Sequence, residues 1–319
     1  MFGVNADFCD HVLEEEHYNL EDYSSSTARW CSGCGAHTIL NSVQKLCKEE
    51  QLPPEKTVFV SGIGCSSRFP HYMKTYGFHG LHGRAFPVAS GVKFRRPDLH
   101  VFVVTGDGDC CSIGAGHWVH AIRYNMKMVV LLFDNAIYGL TKKQTSPTSP
   151  LGTVSNTHPV GSVLPPIHPI QATLGLPNAS FVAQTADWKP AHLHATIRKA
   201  YEHPGLAFVR IIQRCPIFMH DVYEPTVSDP DAITLVHHEN GIQLDEKGMN
   251  AFRHHIEHDP SDINKAREIV ETVKDTTPIG LFYQNKNASC YDEYGAHNLG
   301  IATEDRIDAI NSLMDRYAV

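Results

Sequence analysis

The sequence predicts an α/β protein in which a mostly parallel sheet is flanked by helices. Three observations carry that expectation. Short β-branched and aromatic runs recur, and they are continuous rather than alternating, as in strands buried on both faces. Segments of helical periodicity stand between them, the pattern of βαβ units. The C-terminal ends of three successive runs carry glycines and polar groups, where ligands bind on such sheets. With 319 residues, 42% of them hydrophobic, the chain is long enough for one large domain with an appendage, or for two modest ones.

The elements follow in order. Residues 1–30 are polar and irregular and read as a surface arm. From Gly35 to about Glu49, Ile39, Val43 and Leu46 form an apolar helical stripe. Thr57 to Gly62 is a buried strand, and residues 84–94 form a helix stopped before Pro97. The strand His100–Thr105 runs into Gly106-Asp107-Gly108-Asp109, and a helix follows from Ile113 to Asn125. The strand Met128–Phe133 runs into Asp134-Asn135. Residues 141–165, rich in Thr, Ser, Pro and Gly, form a long loop near the site. Strand-like 179–183, helix-like 191–203 and the strand 207–213 complete a domain spanning 31–220. Beyond it the composition turns polar, with helices expected at 262–274 and 304–316 in an extension covering 221–319.

Composition excludes several function classes. A net charge of −8 with 19% charged residues argues against nucleic acid as a partner, because binding a phosphate backbone needs a clustered basic surface. No apolar run approaches the ~20 residues that cross a bilayer. The N-terminus lacks a basic and apolar export signal, so the expected compartment is the cytoplasm.

Gly106-Asp107-Gly108-Asp109 and Asp134-Asn135 end neighbouring strands. Glycines let backbone approach a diphosphate, and the following helix start favours anions. An unpaired Asp there would repel phosphate unless a cation stood between them. Mg²⁺ suits that position, because it takes one or two protein oxygens together with phosphate oxygens. Asp107 and Asn135 supply side-chain oxygens, and a carbonyl from the turn 136–139, assigned to Ile137, supplies a third. A plain turn and a helix cap would each explain one motif alone, but not the pair.

Nine cysteines in a cytosolic protein are not expected to form disulfides. Cys9, Cys47 and Cys290 read as small buried hydrophobes. Cys31 and Cys34 form a C-x-x-C pair, which alone fits a redox dithiol, zinc or iron–sulfur. No second pair or His pair at zinc-finger spacing lies nearby. Cys65 and Cys215 stand at strand ends, and four thiolates are what a 4Fe–4S cube needs.

C-x-x-C-G, G-I-G-C-S-S, H-G-R-A, G-D-G-D and D-N-x-x-Y-G-L-T-K occur in that order between about residue 30 and about residue 216. Taken together, they resemble the β subunit of 2-oxoacid:ferredoxin oxidoreductases. The Gly-Asp-Gly and Asn part by itself resembles the diphosphate-binding domain of thiamine-diphosphate enzymes. The resemblance implies the thiamine-diphosphate-binding fold, Mg²⁺, and one 4Fe–4S cluster on Cys31, Cys34, Cys65 and Cys215. It implies cofactor contacts from Ile63, Gly64, Cys65, Ser66, His82, Gly83, Arg84, Gly106, Gly108, Asp109, Gly139 and Leu140, with His82 near the phosphates. Cys110 and Cys111 match no ligand position and read as small residues at a helix start.

The implied reaction is reversible, coenzyme A-dependent oxidative decarboxylation of a 2-oxoacid, with electrons passed through the cluster to ferredoxin. Thiamine enzymes need an activating Glu on a pyrimidine-binding domain. Only one α/β domain of this kind fits here, so the Glu is expected from a partner α subunit. The segment 141–148 resembles the family's T-K-G-Q-x-S-P-T loop, which places Lys142, with Leu140, against substrate. Lys143 stands where the family has Gly, and its added charge favours a dicarboxylic substrate such as 2-oxoglutarate over pyruvate. Two other readings remain: a non-oxidative thiamine enzyme, which leaves the cysteines idle, and an electron-transfer or zinc-stabilised protein, which leaves the Gly-Asp-Gly-Asp idle.

Overall fold

A computed structural model describes residues 17–292 and 303–317. Among these, nine strands form one sheet: β1 (Thr57–Ser61), β2 (Tyr76–His79), β3 (His100–Gly106), β4 (Met128–Asp134), β5 (Phe181–Ala186), β6 (Leu206–Ile212), β7 (Ile233–His237), β8 (His254–Glu257) and β9 (Thr277–Gln284). Their spatial order is β2-β1-β3-β4-β6-β5-β9-β7-β8. Every pairing is parallel except that of β5 with β9.

Side chains alternate across this sheet with the two-residue strand period. Phe102, Val104, Leu131 and Phe133 pack on one face with Ile39, Val43 and Leu46 of α1 (Ala36–Glu49) and with Leu193 and Ile197 of α5 (Pro190–Glu202). Val101, Val103, Val130 and Leu132 pack on the other with Phe86 of α2 (Ala85–Arg95), with Trp118 and Ile122 of α3 (Ala115–Tyr124) and with Ile170 and Leu174 of α4 (Pro169–Leu174). Each such side chain, taken fully out of water, stabilises the fold by roughly 1.5–3 kcal/mol. Coverage of both faces is why these strands read as unbroken apolar runs.

Several details differ from expectation. The arm is not wholly superficial, because Tyr23 is fully buried and its hydroxyl donates to the Leu52 carbonyl at 2.9 Å. The helix expected from Ile113 begins at Ala115, after a wide π-turn over Asp109–Ile113. Gly114 separates the two, and the turn buries Cys110 and Cys111. Cys47 and Cys290 are buried as expected, and Cys9 lies outside the described residues. Beyond residue 220 the chain adds α6 (His220–Ser228), β7, α7 (Glu246–Met249), β8, α8 (Ile263–Thr272), β9 and α9 (Thr303–Asp315). The three strands extend the same sheet through the β5–β9 seam. No described helix is long and apolar enough to cross a membrane.

Candidate active site

A cavity of about 160 Å³ opens at the carboxyl ends of β1, β3 and β4. Of the residues expected there, Ile63, Gly64, Cys65, Ser66, His82, Gly106, Asp107, Gly108, Asp109, Asn135, Ile137, Gly139 and Leu140 line it. Gly83, Arg84 and Lys142 do not. Arg84 is the residue before α2, and its guanidinium turns to the carbonyls of Gly83 and Ile113 at 3.4 and 3.3 Å.

Asp109 organises one wall. Its carboxylate is almost fully buried and accepts four hydrogen bonds. The donors are Ile63 N (3.1 Å), Gly83 N (2.6 Å), His82 Nδ1 (2.6 Å) and Thr105 Oγ1 (2.8 Å). This one side chain joins the loops after β1 and β2 to the end of β3. With the Nδ1 proton committed to Asp109, Nε2 is the free nitrogen of His82. Gly83 holds φ +71°, and a Cβ there would stand 2.6 Å from Ile113 and 2.7 Å from the Gly114 nitrogen. A Cβ on Gly108 would lie 2.2 Å from the Tyr138 ring, so only glycine lets that backbone pass.

Asp107 behaves differently. It is buried beside Asp134, and the Thr148 hydroxyl lies 2.8 Å from Asp107 Oδ2 and 2.9 Å from Asp134 Oδ1. Asp134 is neutralised by Arg210, with Nη2 and Nε at 2.6 and 2.7 Å. Asp107 has no cation within ion-pair distance among the described residues. Burial, and then the charge of Asp134, raise the Asp107 carboxyl to about 7. A buried carboxylate without a counter-ion is costly, and a bound cation relieves it. The Asn135 side-chain oxygen lies 3.2 Å from Ile137 N and faces the same space. Ser66 Oγ is buried without a partner on the lining. An oxygen donor set, an uncompensated carboxylate and an orphaned hydroxyl fit a magnesium diphosphate.

A second cavity of about 250 Å³ adjoins the first and is lined by Cys31, Cys34, Cys65 and Cys215, with Lys142 and Arg68 among its other walls. Cys65, Asn135, Gly139 and Leu140 belong to both. Gln213 ties them further: its amide donates to Cys34 Sγ at 3.2 Å, and its oxygen accepts from Asn135 at 3.5 Å. Burial pushes Cys34 up to about 12 and Cys65 up to about 11, and neighbouring thiols add to both. Among the described residues no three His, Cys, Asp or Glu side chains converge on a point that would hold one metal ion. In a cube each thiolate binds a different iron, so its ligands stand further apart than those of a single ion. Four cysteines around one cavity fit that arrangement.

Thr148, Arg210, Gln213 and Tyr138 are site residues that sequence reasoning passed over. Tyr138 and Thr148 stand in motifs quoted above, and Arg210 had a signal as the one charge in an otherwise apolar strand. The loop that follows the Asn135 turn is strained, because Lys142 and Lys143 hold φ of +70° and +75°. Lys143 N donates to the Tyr138 carbonyl at 3.1 Å, which keeps the turn closed. Lys143→Gly is therefore expected to stabilise the protein by roughly 0.5–1 kcal/mol. A lower denaturation midpoint for that variant would show that the lysine side chain outweighs the backbone cost.

The fold and the site define the diphosphate-binding domain of a thiamine-diphosphate enzyme, and residues 62–211 match the family described as thiamine pyrophosphate enzyme, C-terminal TPP binding domain. Residues 248–297 match the family that describes the C-terminal part of the pyruvate ferredoxin oxidoreductase β chain. The chain is 36% identical over 268 residues to the 2-oxoacid:ferredoxin oxidoreductase subunit beta of Saccharolobus solfataricus, covering 83% of this chain and 84% of that one. It is 50% identical over 195 residues to the 2-oxoglutarate oxidoreductase subunit KorB of Mycobacterium tuberculosis, covering 61% of this chain but only 52% of that relative. A solved 2-oxoglutarate:ferredoxin oxidoreductase from Magnetococcus marinus, with 2-oxoglutarate, coenzyme A and succinyl-CoA bound, superposes with a TM-score of 0.78 at 35% identity, covering 94% of this chain and 97% of that one. The chain belongs to the family of 2-oxoacid:ferredoxin oxidoreductase β subunits.

Proposed function

We propose that this chain is the thiamine-diphosphate and iron–sulfur subunit of a coenzyme A-dependent 2-oxoacid:ferredoxin oxidoreductase. It works with an α subunit that carries the pyrimidine-binding domain and the activating Glu. The observation that carries the reading is the pair of cavities with a common wall. One holds a buried carboxylate lacking a cation, and the other is ringed by four cysteines. Thiamine diphosphate supplies the carbanion chemistry of decarboxylation, and a 4Fe–4S cluster supplies the one-electron path to ferredoxin.

The chain's own residues do the positioning. Asp107, Asn135 and the Ile137 carbonyl hold Mg²⁺, and the glycines 106 and 108 let backbone approach the diphosphate. His82, oriented by Asp109, presents Nε2 to the phosphates. Cys31, Cys34, Cys65 and Cys215 hold the cluster. Lys142, on the rim beside Leu140, pairs with a substrate carboxylate. The Magnetococcus relative's bound 2-oxoglutarate favours that substrate over pyruvate.

Anaerobic purification with the partner subunit tests this reading. About four irons and one thiamine diphosphate per chain are expected. Thiamine diphosphate without iron would replace it with a non-oxidative enzyme, and iron without thiamine diphosphate with an electron carrier.

Metal binding should also depend on pH. The raised Asp107 carboxyl favours the protonated form in the folded, metal-free chain. Its contribution to folding is complete below the ordinary carboxylate range and fades as pH rises through about 7. A cation must displace that proton. Mg²⁺-dependent cofactor affinity is therefore expected to fall about tenfold per pH unit below about 7. Titrations at about pH 6 and about pH 8 that give equal affinities would remove Asp107 from the ligand set.

A further inference from the structure

Arg68 is assigned to nothing above, yet it borders the same cavity as all four cysteines. It lies on the short 3-10 segment Ser66–Tyr72, which begins directly after Cys65. Its backbone N–H donates to the Cys65 carbonyl at 3.4 Å, and its guanidinium carbon stands 5.9 Å from the centre of the Tyr72 ring. That ring is itself fixed. Tyr72 is buried, its hydroxyl accepts from Arg29 N at 3.0 Å, and Trp30 meets it edge-on at 4.7 Å. Trp30 Nε1 in turn donates to the Cys65 carbonyl at 2.6 Å. No carboxylate lies within ion-pair distance of Arg68 among the described residues. An arginine half out of water, held over a buried aromatic ring and lacking an acidic partner, keeps its full charge directed at its surroundings.

We infer that Arg68 is a positioning charge for electron transfer: it raises the reduction potential of the cluster held by Cys31, Cys34, Cys65 and Cys215. The inference rests on the cluster reading above. Reduction adds one electron to the cluster, and a fixed cation beside one of its thiolates stabilises the added charge. Net charge and solvent exposure around the sulfurs are established levers on such potentials. The same cation lowers the Cys65 thiol against the upward push of burial. Arg29, which also lines the cavity, is exposed to water, so its charge is more heavily screened. Lys142, which also lines the cavity, is assigned to the substrate carboxylate in the reading above.

The experiment is a redox titration of the anaerobically purified complex with its partner subunit, followed by electron paramagnetic resonance, with iron analysis on each sample. Arg68→Gln is expected to lose roughly tenfold in its preference for the reduced cluster, a downward shift of about 59 mV for a one-electron couple. Arg68→Met should move the same way, and Arg68→Lys should stay near the wild-type midpoint. An unchanged midpoint in both neutral variants with full iron content would overturn the proposal. So would a Lys variant shifted as far as Gln, which would mean a hydrogen bond rather than a charge. A raised KM for ferredoxin at an unchanged midpoint would make Arg68 a docking residue instead. Wild-type complex without iron would sink the cluster reading itself, and the iron analysis separates that failure from the others.

Discussion

Asp109→Asn is expected to abolish thiamine-diphosphate binding and to cost the fold roughly 3–5 kcal/mol. Four donors converge on this one carboxylate, from Ile63, Gly83, His82 and Thr105. Asparagine keeps the shape but replaces one oxygen with an NH₂ group. At least one buried donor then faces another donor, and each unmet group costs about 1–3 kcal/mol. The loops carrying Ile63 and His82 would lose their common anchor, and the cavity wall would open. Denaturant unfolding and cofactor titration on the same preparation check this. Stability within about 1 kcal/mol of wild type, together with normal cofactor affinity, would show that the hub is dispensable.

Cys215→Ser is expected to empty the cluster site while leaving the thiamine site working. Cys215 borders only the second of the two cavities described, whereas Cys65 borders both. Serine is close to isosteric, so the fold should survive. Iron content should drop well below four per chain, and ferredoxin reduction by the complex should fall at least ~100-fold. Mg²⁺-dependent thiamine-diphosphate binding should persist. Cys47 makes the contrast, because it is fully buried on the inner face of α1 and lines neither cavity. Cys47→Ala is expected to lose stability and keep its iron. A Cys215→Ser complex that retained four irons would remove this residue from the ligand set.

Much of the catalytic floor was legible because its residues are local in sequence. Gly106-Asp107-Gly108-Asp109 and Asp134-Asn135 each sit at the end of an unbroken apolar strand, so strand prediction alone set them side by side. The four cysteines come from three separate segments, 31–34, 65 and 215, and family resemblance grouped them before any geometry did. What stayed illegible was long-range pairing. Nothing near Thr148 says that its hydroxyl would bridge two carboxylates from different strands. Nothing near Gln213 says that it would reach both Asn135 and Cys34. Arg84 sits in the H-G-R-A motif, but one peptide of helix start turns it away from the cavity. The edge strand β2 was passed over because it is only four residues long and none of them is buried. β7 and β8 are only five and four residues long, and the placement of β7, β8 and β9 in the sheet depends on partners far along the chain.

The antiparallel seam between β5 and β9 has a practical consequence for handling the protein. β7, β8 and β9 run opposite to the strands that carry the two cavities. The connection that leaves β7 therefore heads away from the carboxyl ends of β1, β3 and β4, where the cavities open. Its tip, at Glu239 and Asn240, is exposed to water. An affinity tag, a fluorophore or a surface tether inserted there would leave the strand end that carries substrate, cofactor and thiols unobstructed. Tethered in that way to an electrode, the protein would present its reactive end to solution.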